Sequence, residues 1–378
     1  MEYKKLGDIA TYINGYAFKP EDRGEEGLPI IRIQDLTGNS YDLGFYNGEY
    51  PEKIEINDGD VLISWSASLG VYVWNRGKAL LNQHIFKVAF DKLDIDKNYF
   101  VYAVRRKLDE MTSKTHGATM KHIVKKDFDA TQIPYPSLEE QAKIASNLDR
   151  VSRITEARKE ELVNFDELIK ARFVELFGDP EENPKKWDKI PLSGLIVNAN
   201  NGMARRGNDE EGNIVMRLVE LQDGYIDYSN PNRILLSDNE KKRYLLKDRD
   251  FLFARVNGNP DNVGRCAVFH DIGEEVFHND HIIRVHFDED RLNGTFASAL
   301  FNSDYGKKQL KSQIKTSAGQ YTVSQDGIGA IVTILPRMEL QLNFEKFVNQ
   351  VDKSKFAVQK SLDETQKLFD SLMQNYFG

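Results

Sequence analysis

Asn82-Gln-His-Ile-Phe-Lys-Val88 returns two hundred positions later as Asn279-Asp-His-Ile-Ile-Arg-Val285. One such match means little. Three more precede it in the same order in both halves: Asn14-Gly-Tyr-Ala17 with Asn201-Gly-Met-Ala204, Gly27-Leu-Pro-Ile-Ile-Arg-Ile-Gln-Asp-Leu36 with Gly212-Asn-Ile-Val-Met-Arg-Leu-Val-Glu-Leu221, and Gly59-Asp-Val-Leu-Ile63 with Arg249-Asp-Phe-Leu-Phe253. The match runs on through Ile133-Pro-Tyr-Pro-Ser-Leu-Glu-Glu-Gln141 and Ile334-Leu-Pro-Arg-Met-Glu-Leu-Gln341, and closes on Phe177-Gly178 and Phe377-Gly378. Self-similarity in fixed order marks an internal repeat, so the chain reads as two diverged copies of one unit.

Each unit has two parts of different periodicity. Pro29–Ile33, Val61–Ser64, Ile85–Phe90, Ile214–Leu218, Phe251–Arg255 and Ile282–Phe287 are short, rich in β-branched and aromatic residues, and bounded by Gly, Asn and Asp, which predicts strands. Asn98–Thr112 and Thr295–Gln313 read as helices among them, so the class is mixed α+β.

The second part is a long helix. From Ser137 to Phe177, Ile144, Leu148, Val151, Leu162, Phe165 and Ile169 recur at spacings built from threes and fours. Pro136 bars extension upstream, Ser137 with Glu140 reads as a capping box, and Gly178 with Pro180 stops the other end. The second copy runs from about Glu339 to Tyr376 through Phe347, Val351, Val358, Leu362, Phe369 and Leu372. Some forty residues make a rod of roughly 60 Å. A rod with one apolar stripe needs a partner, and its own repeat, packed as an antiparallel coiled coil, is the natural one. The expected division is a first globular domain at 1–136, a helix at 137–178, a second domain at 179–336 behind the charged, proline-containing linker 179–186, and a second helix at 337–378.

Composition bounds the function. The single cysteine, Cys266, cannot form an internal disulfide, and no apolar run approaches a membrane span or a secretory leader, so a cytoplasmic protein is expected. The net charge of −8 argues against a simple nucleic-acid binder, unless one basic face hides in the sum. No strong catalytic motif is present. Gly77-Lys78 lacks the rest of a phosphate-binding loop, and Asn257-Gly-Asn-Pro-Asp261 reads as a turn. His278-Asn-Asp-His281 is the one candidate metal or nuclease cluster. Only His281 has a histidine counterpart in the first half, His84, so a shared strand entry is the preferred reading and no metal is expected.

Basic residues do cluster. Arg105, Arg106, Lys107, Lys114, His116 and Lys121 fall close together in the first half with Thr119 among them, and Lys307, Lys311 and Lys315 take the matching place before Gln320 and Tyr321. Arg205 and Arg206 form another patch. Polar loops at matching positions carry Ser64, Ser66 and Ser68 in one half and Arg255, Asn257 and Asn259 in the other. Such groups suit phosphate neutralisation and bidentate contacts to base edges. The copies differ most in these loops while agreeing in the strands, as expected if one scaffold reads two different half-sites.

This organisation resembles the specificity subunit of type I restriction-modification systems. The resemblance rests on Leu6-Gly-Asp-Ile-Ala10, the Gly59–Ile63 and Arg249–Phe253 segments, Ile133–Gln141, Phe173-Val-Glu-Leu-Phe-Gly178 with Asp179-Pro180, and the terminal Leu372–Gly378. It implies two target-recognition domains alternating with two helices in a pseudo-twofold arrangement, each domain reading half of a bipartite double-stranded DNA site while the helices set the gap. It further implies a subunit without an active site or cofactor of its own. Such a subunit recruits two modification (methyltransferase) subunits that carry S-adenosylmethionine, and through them restriction subunits that use ATP and magnesium. A coiled-coil scaffold without a nucleic-acid role is the alternative, but it leaves the paired variable loops unexplained.

Overall fold

The protein is described by a computed structural model covering residues 2–39, 42–114, 123–317 and 319–378. It is mixed α/β and divides into two compact units, Met1–Lys159 with Lys360–Gly378, and Glu160–Gln359.

In the first unit the central sheet has the order Thr11–Asn14, Ile85–Ala89, Val61–Ser64, Gly70–Val73, all antiparallel. A second sheet orders Phe45–Tyr46, Leu28–Ile31, Ala79–Leu81 and Glu55–Ile56, with Leu28–Ile31 parallel to Ala79–Leu81. A short ladder joins Tyr3–Lys5 to Gln132–Pro134. In the second unit the sheet of four is ordered Ile196–Asn201, Ile282–Phe287, Phe251–Ala254, Cys266–Val268, again antiparallel. Asn213–Met216 runs parallel to Val276–His278, and Asp188–Pro191 pairs with Val332–Leu335. The second unit also holds a small ribbon, Val256–Asn257, Gln320–Thr322, Lys315–Ser317.

The recurring sequence stretches sit where backbone geometry demands them. A Cβ on Gly15 would lie 2.0 Å from the Asn82 carbonyl oxygen, and one on Gly202 would lie 2.3 Å from that of Asn279. Only glycine lets the chain cross there, which is why Asn14-Gly15 and Asn82, far apart in sequence, recur together as Asn201-Gly202 and Asn279. Gly59 and Arg249 both have φ in the left-handed region, at 89° and 68°, and Asp60 and Asp250 each accept the amide three residues back at 2.8 Å. The aspartate holds the turn in both, and Arg249 tolerates a conformation that glycine adopts freely.

Two expected elements end early for identifiable reasons. The strands expected over Pro29–Ile33 and Ile214–Leu218 stop at Ile31 and Met216. The amides of Arg32 and Arg217 donate to the carboxylates of Asp35 and Glu220 at 2.7 and 2.6 Å, which takes them out of any ladder. The helix expected over Thr295–Gln313 is broken into Gly294–Asn302 and Asp304–Ser312. Ser303 caps the second piece through Gly306 N–H at 3.3 Å, and a Cβ on Gly306 would meet the Leu300 carbonyl oxygen at 2.3 Å.

Two helices of 40 residues each, Leu138–Phe177 and Met338–Phe377, follow the sheets in each half. At the start of the first, Glu140 N–H donates to Ser137 Oγ at 3.3 Å. Gly178 ends it with φ 77°, and the linker closes over the end: Trp187 Nε1 donates to the Phe177 carbonyl at 2.8 Å and Lys185 Nζ to that of Leu176 at 2.8 Å.

Both helices are anchored mainly by aromatic residues at their ends. Ile144, Leu148, Met373 and Phe377 lie in one core with Tyr99 and Phe100, while Phe369 and Leu372 pack against it. In the second unit Phe173 and Phe177 pack between Phe296 and Phe344, with ring centroids 4.7 Å apart for Phe177–Phe296 and 5.6 Å for Phe173–Phe344. Val351 is buried and Ile169 packs against this core. Val151 is buried in its own unit, while Leu162, Phe165, Phe347, Val358 and Leu362 are half-buried along the middle of the helices. Lys355 pairs with Asp166 at 2.7 Å.

Candidate nucleic-acid interface

In the second unit the strand Phe251–Ala254 releases its chain at Arg255. The Arg255 amide donates to the His281 carbonyl at 2.7 Å, and its own carbonyl accepts from Val323 at 2.9 Å. Two residues on, Asn257 pairs with Tyr321 in the ribbon that also carries Lys315 and Gln320. Arg255, Asn257, Lys315, Gln320 and Tyr321, spread over more than sixty positions, thus meet at one end of the sheet.

An open polar cleft of about 360 Å³ lies there, lined by Asn201, Arg255, Lys315, Thr322, Ser324 and Gln325, with Val323 and Asp326 completing it. Gln325 Nε2 donates to Asn201 Oδ1 at 3.1 Å. Arg255 Nη1 donates to the Asp280 carbonyl at 2.8 Å, and Arg206 Nη2 pairs with the Asp280 carboxylate at 2.6 Å and sits 3.1 Å from His281 Nε2. Burial pushes the His281 pKa down. The neighbouring Arg206 and Arg255 guanidiniums push the same way, and Asp280 opposes them. Amide groups, one guanidinium and an ammonium lining an open cleft form the donor-rich surface that base edges and phosphates require.

The other basic candidates of this unit are matched by carboxylates. Arg205 makes a two-pronged pair with Glu240 at 3.0 and 3.1 Å, and this arginine, with Ser237, holds the Glu240 carboxyl down at about 2. Lys307 pairs with Asp223 at 2.9 Å and Lys311 with Asp261 at 2.6 Å. Asn259 accepts the Asp261 amide at 3.0 Å, which turns the chain. His278 lies outside the cleft, fully buried, with Nδ1 3.1 Å from the Tyr244 carbonyl oxygen. Among the described residues, no group of three or more His, Cys, Asp or Glu is arranged to hold a metal ion.

The first unit differs from expectation in its loop serines. Ser64 is fully buried and donates to the Ser68 carbonyl at 2.5 Å, and Ser66 is buried as well, so neither hydroxyl reaches an outside ligand. Ser68 is exposed. Arg105 is exposed, its guanidinium 5.5 Å from the Tyr102 ring centre. Arg106 pairs with Glu110 at 3.3 Å and donates to the Gln374 side chain. Lys107 pairs with Glu110 at 3.2 Å and donates to the Phe377 carbonyl at 3.2 Å, where its charge suits the end of a helix. Lys107 is thus taken up by the terminal helix rather than offered outward. Lys114 ends the helix Lys97–Lys114, and His116, Thr119 and Lys121 lie outside the described residues.

Three residues not picked out as sites from sequence emerge: Trp65 in the first unit, and Asn201 and Gln325 in the second; His281, weighed from sequence as part of a metal cluster, stands instead beside Arg206. Trp65 has the wiring of Arg255. Its amide donates to the His84 carbonyl at 3.2 Å and its carbonyl accepts from Ile123 at 2.9 Å. Each stands six residues after the Gly59 or Arg249 turn, so the spacing was legible; the loop serines drew attention instead.

Comparison with known proteins agrees with this picture. Residues 1–164 match the family described as type I restriction modification DNA specificity domain. The StySPI specificity subunit of Salmonella potsdam is 26% identical over 400 residues, covering 98% of this chain and 86% of that protein. The EcoKI specificity subunit of Escherichia coli K12 is 23% identical with the same coverage of 98% and 86%. In structure, the type I S subunit of M. genitalium superposes with a TM-score of 0.60 at 16% identity, over 100% of this chain and 96% of that one. Nothing in these relatives supports a scaffold without a nucleic-acid role. The fold and nearly the whole length of the sequence are thus similar to those of the specificity subunits of type I restriction-modification systems, and this likeness supports a role in DNA sequence specificity.

Proposed function

We propose that the two halves are a duplicated unit in which each globular domain reads one half of a bipartite double-stranded DNA site. The long helices pair as an antiparallel coiled coil that sets the gap. The observation that carries this reading is the matching backbone wiring behind Trp65 and Arg255, which sets unlike side chains at the same place in like sheets: the Arg255 guanidinium lines the open cleft, while the Trp65 ring packs on Phe86 and the first core. A scaffold kept constant beneath a changed reader is what two different half-sites require. The helix pairing is supported by the cores themselves. Ile144 and Leu148, early in one helix, share a core with Met373 and Phe377, late in the other, while Phe173 and Phe177 share one with Phe344.

On this reading the domains are 1–136 and 179–336, the helices 137–178 and 337–378, and the pairing residues those of the apolar stripes. The chain holds no cofactor and performs no chemistry. It docks two modification subunits that bind S-adenosylmethionine and methylate adenine, with restriction subunits using ATP and magnesium added through them, all in the cytoplasm. Among the described residues no helix is long and apolar enough to cross a membrane.

The test is a map of methylated adenine in cells expressing the modification subunits, with and without this chain. A bipartite motif present only with the chain is the expected result. An unchanged map, with the partners expressed, refutes the reading.

A further inference from the structure

Gln141 and Gln341 are two buried polar side chains that the function described so far leaves unused. Both are fully buried, and each stands three residues after the first residue of its long helix. Their bonds repeat in kind. Gln141 Oε1 accepts the Asp96 amide at 2.9 Å, and Nε2 donates to the Pro136 carbonyl at 2.9 Å. Gln341 Oε1 accepts the Asn293 amide at 2.9 Å, and Nε2 donates to the carbonyls of Pro336 at 2.8 Å and Arg291 at 3.1 Å.

The partners are themselves in matching roles. Asp96 Oδ1 accepts from Tyr99 N at 2.8 Å and Asn293 Oδ1 from Phe296 N at 3.1 Å, so each is the capping residue of a domain helix, Lys97–Lys114 or Gly294–Asn302. One buried amide therefore ties three things together in each unit: the proline-bound chain entering the long helix, the first turn of that helix, and the start of a helix belonging to the globular domain.

An apolar side chain of similar volume would fill the same space without needing any partner. A buried amide is tolerated only with donor and acceptor both satisfied. What it adds over packing is direction, since apolar surfaces can slide and rotate where a pair of hydrogen bonds cannot. Its recurrence at the same point in both units places that directional restraint at the joint between domain and helix.

We propose that Gln141 and Gln341 are positioning residues that fix the angle of each recognition domain on its long helix, and so the gap the protein accepts between its half-sites. This rests on the helices being the spacer. The test uses the complex with modification subunits and a series of duplexes carrying the natural half-sites with the natural gap, one base pair fewer and one more. Methylation rates are compared for wild type, Gln141→Met and Gln341→Met, which keep the volume and lose the bonds. Leu108→Ala serves as a variant that weakens the domain core away from the joint.

The expected result is that either methionine variant loses about tenfold of its preference for the natural gap while still rejecting altered half-sites, and that Leu108→Ala keeps the preference. Equal slowing on all three gaps in the methionine variants, or loss of preference in Leu108→Ala as well, overturns the proposal. Should one methionine variant fail to fold, the other tests the second joint by itself. A wild-type complex indifferent to gap length would instead sink the spacer reading.

Discussion

Replacing Arg255 by alanine should erase discrimination at one base pair, in the half-site read by the second domain, and leave the other half-site untouched. The structure sets the size of the effect. Arg255 Nη1 is already bonded to the Asp280 carbonyl at 2.8 Å, which occupies one of the five guanidinium donors and orients the fork at the cleft. The rotamer entropy of a free arginine, about 2 kcal/mol, is thus largely lost on folding rather than on binding. A two-pronged contact to guanine discriminates by about 1–3 kcal/mol. Pre-orientation favours the upper part of that range, which corresponds to roughly 30- to 150-fold in relative rate. The assay is initial methylation rate by the assembled complex on duplexes carrying each base in turn at every half-site position, for wild type and Arg255→Ala. Thermal unfolding of both proteins accounts for the lost Asp280 bond. Loss confined to one position is expected. A uniform loss over all sequences, with the salt dependence reduced by about one ion, would make Arg255 a phosphate contact and refute its role as a reader.

Other outcomes follow from the packing and charge. Phe344→Ala removes a ring from the Phe173–Phe177–Phe296 cluster and should cost about 3–5 kcal/mol, read by denaturant unfolding; a loss under about 1 kcal/mol would show that the cluster does not anchor the helix. Burial depresses the His278 pKa to about 4, so the folded protein keeps this ring neutral where the unfolded chain would protonate it. Its contribution, about 3 kcal/mol, is whole above pH 6.5 and fades as the pH falls towards 4; the stability difference between wild type and His278→Gln should shrink over that window, and a constant difference would contradict it. Cys266 is fully buried and burial raises its thiol pKa, so a thiol reagent should label it only in denaturant. The isolated chain should bind DNA weakly and with strong salt dependence, tightening when the modification subunits are added; tight sequence-specific binding alone would count against that partnership.

Much of the fold was legible because its signals are local. The Asn-Gly and Asn-x-His stretches recur since one glycine must pass close to one asparagine carbonyl, and the Gly59 and Arg249 turns recur since an aspartate closes each. The long helices announced themselves by proline, cap and glycine. The errors come from competition that periodicity does not register. Arg32 and Arg217 lose their amides to a carboxylate three residues on, ending strands whose apolar pattern continues. The helix ends are held by Phe173, Phe177, Phe344 and Phe377, which a search for regular spacing along the helix undervalues because their partners belong to the globular domains.

The site was less legible, and charge explains why. Counting basic residues treats each as available, but folding matches Arg205, Arg206, Lys307 and Lys311 with carboxylates, and gives Lys107 to the end of a helix. These pairs leave the neighbourhood near neutral, which is how a chain of net charge −8 can carry a patch rich in arginine and lysine without a basic surface. Recognition then depends less on the sum of charge than on donors held in fixed directions, and these are found where strand ends converge: Arg255 oriented by Asp280, and Asn201 by Gln325. The position that matters, six residues beyond the turn shared by the two halves, is occupied by Trp65 in one unit and Arg255 in the other. Neither count nor composition separates them, but the shared bonds to His84 and His281 do. If direction rather than charge selects the sequence, the phosphate neutralisation that drives affinity must come largely from elsewhere in the assembly, and specificity and affinity are divided between different chains.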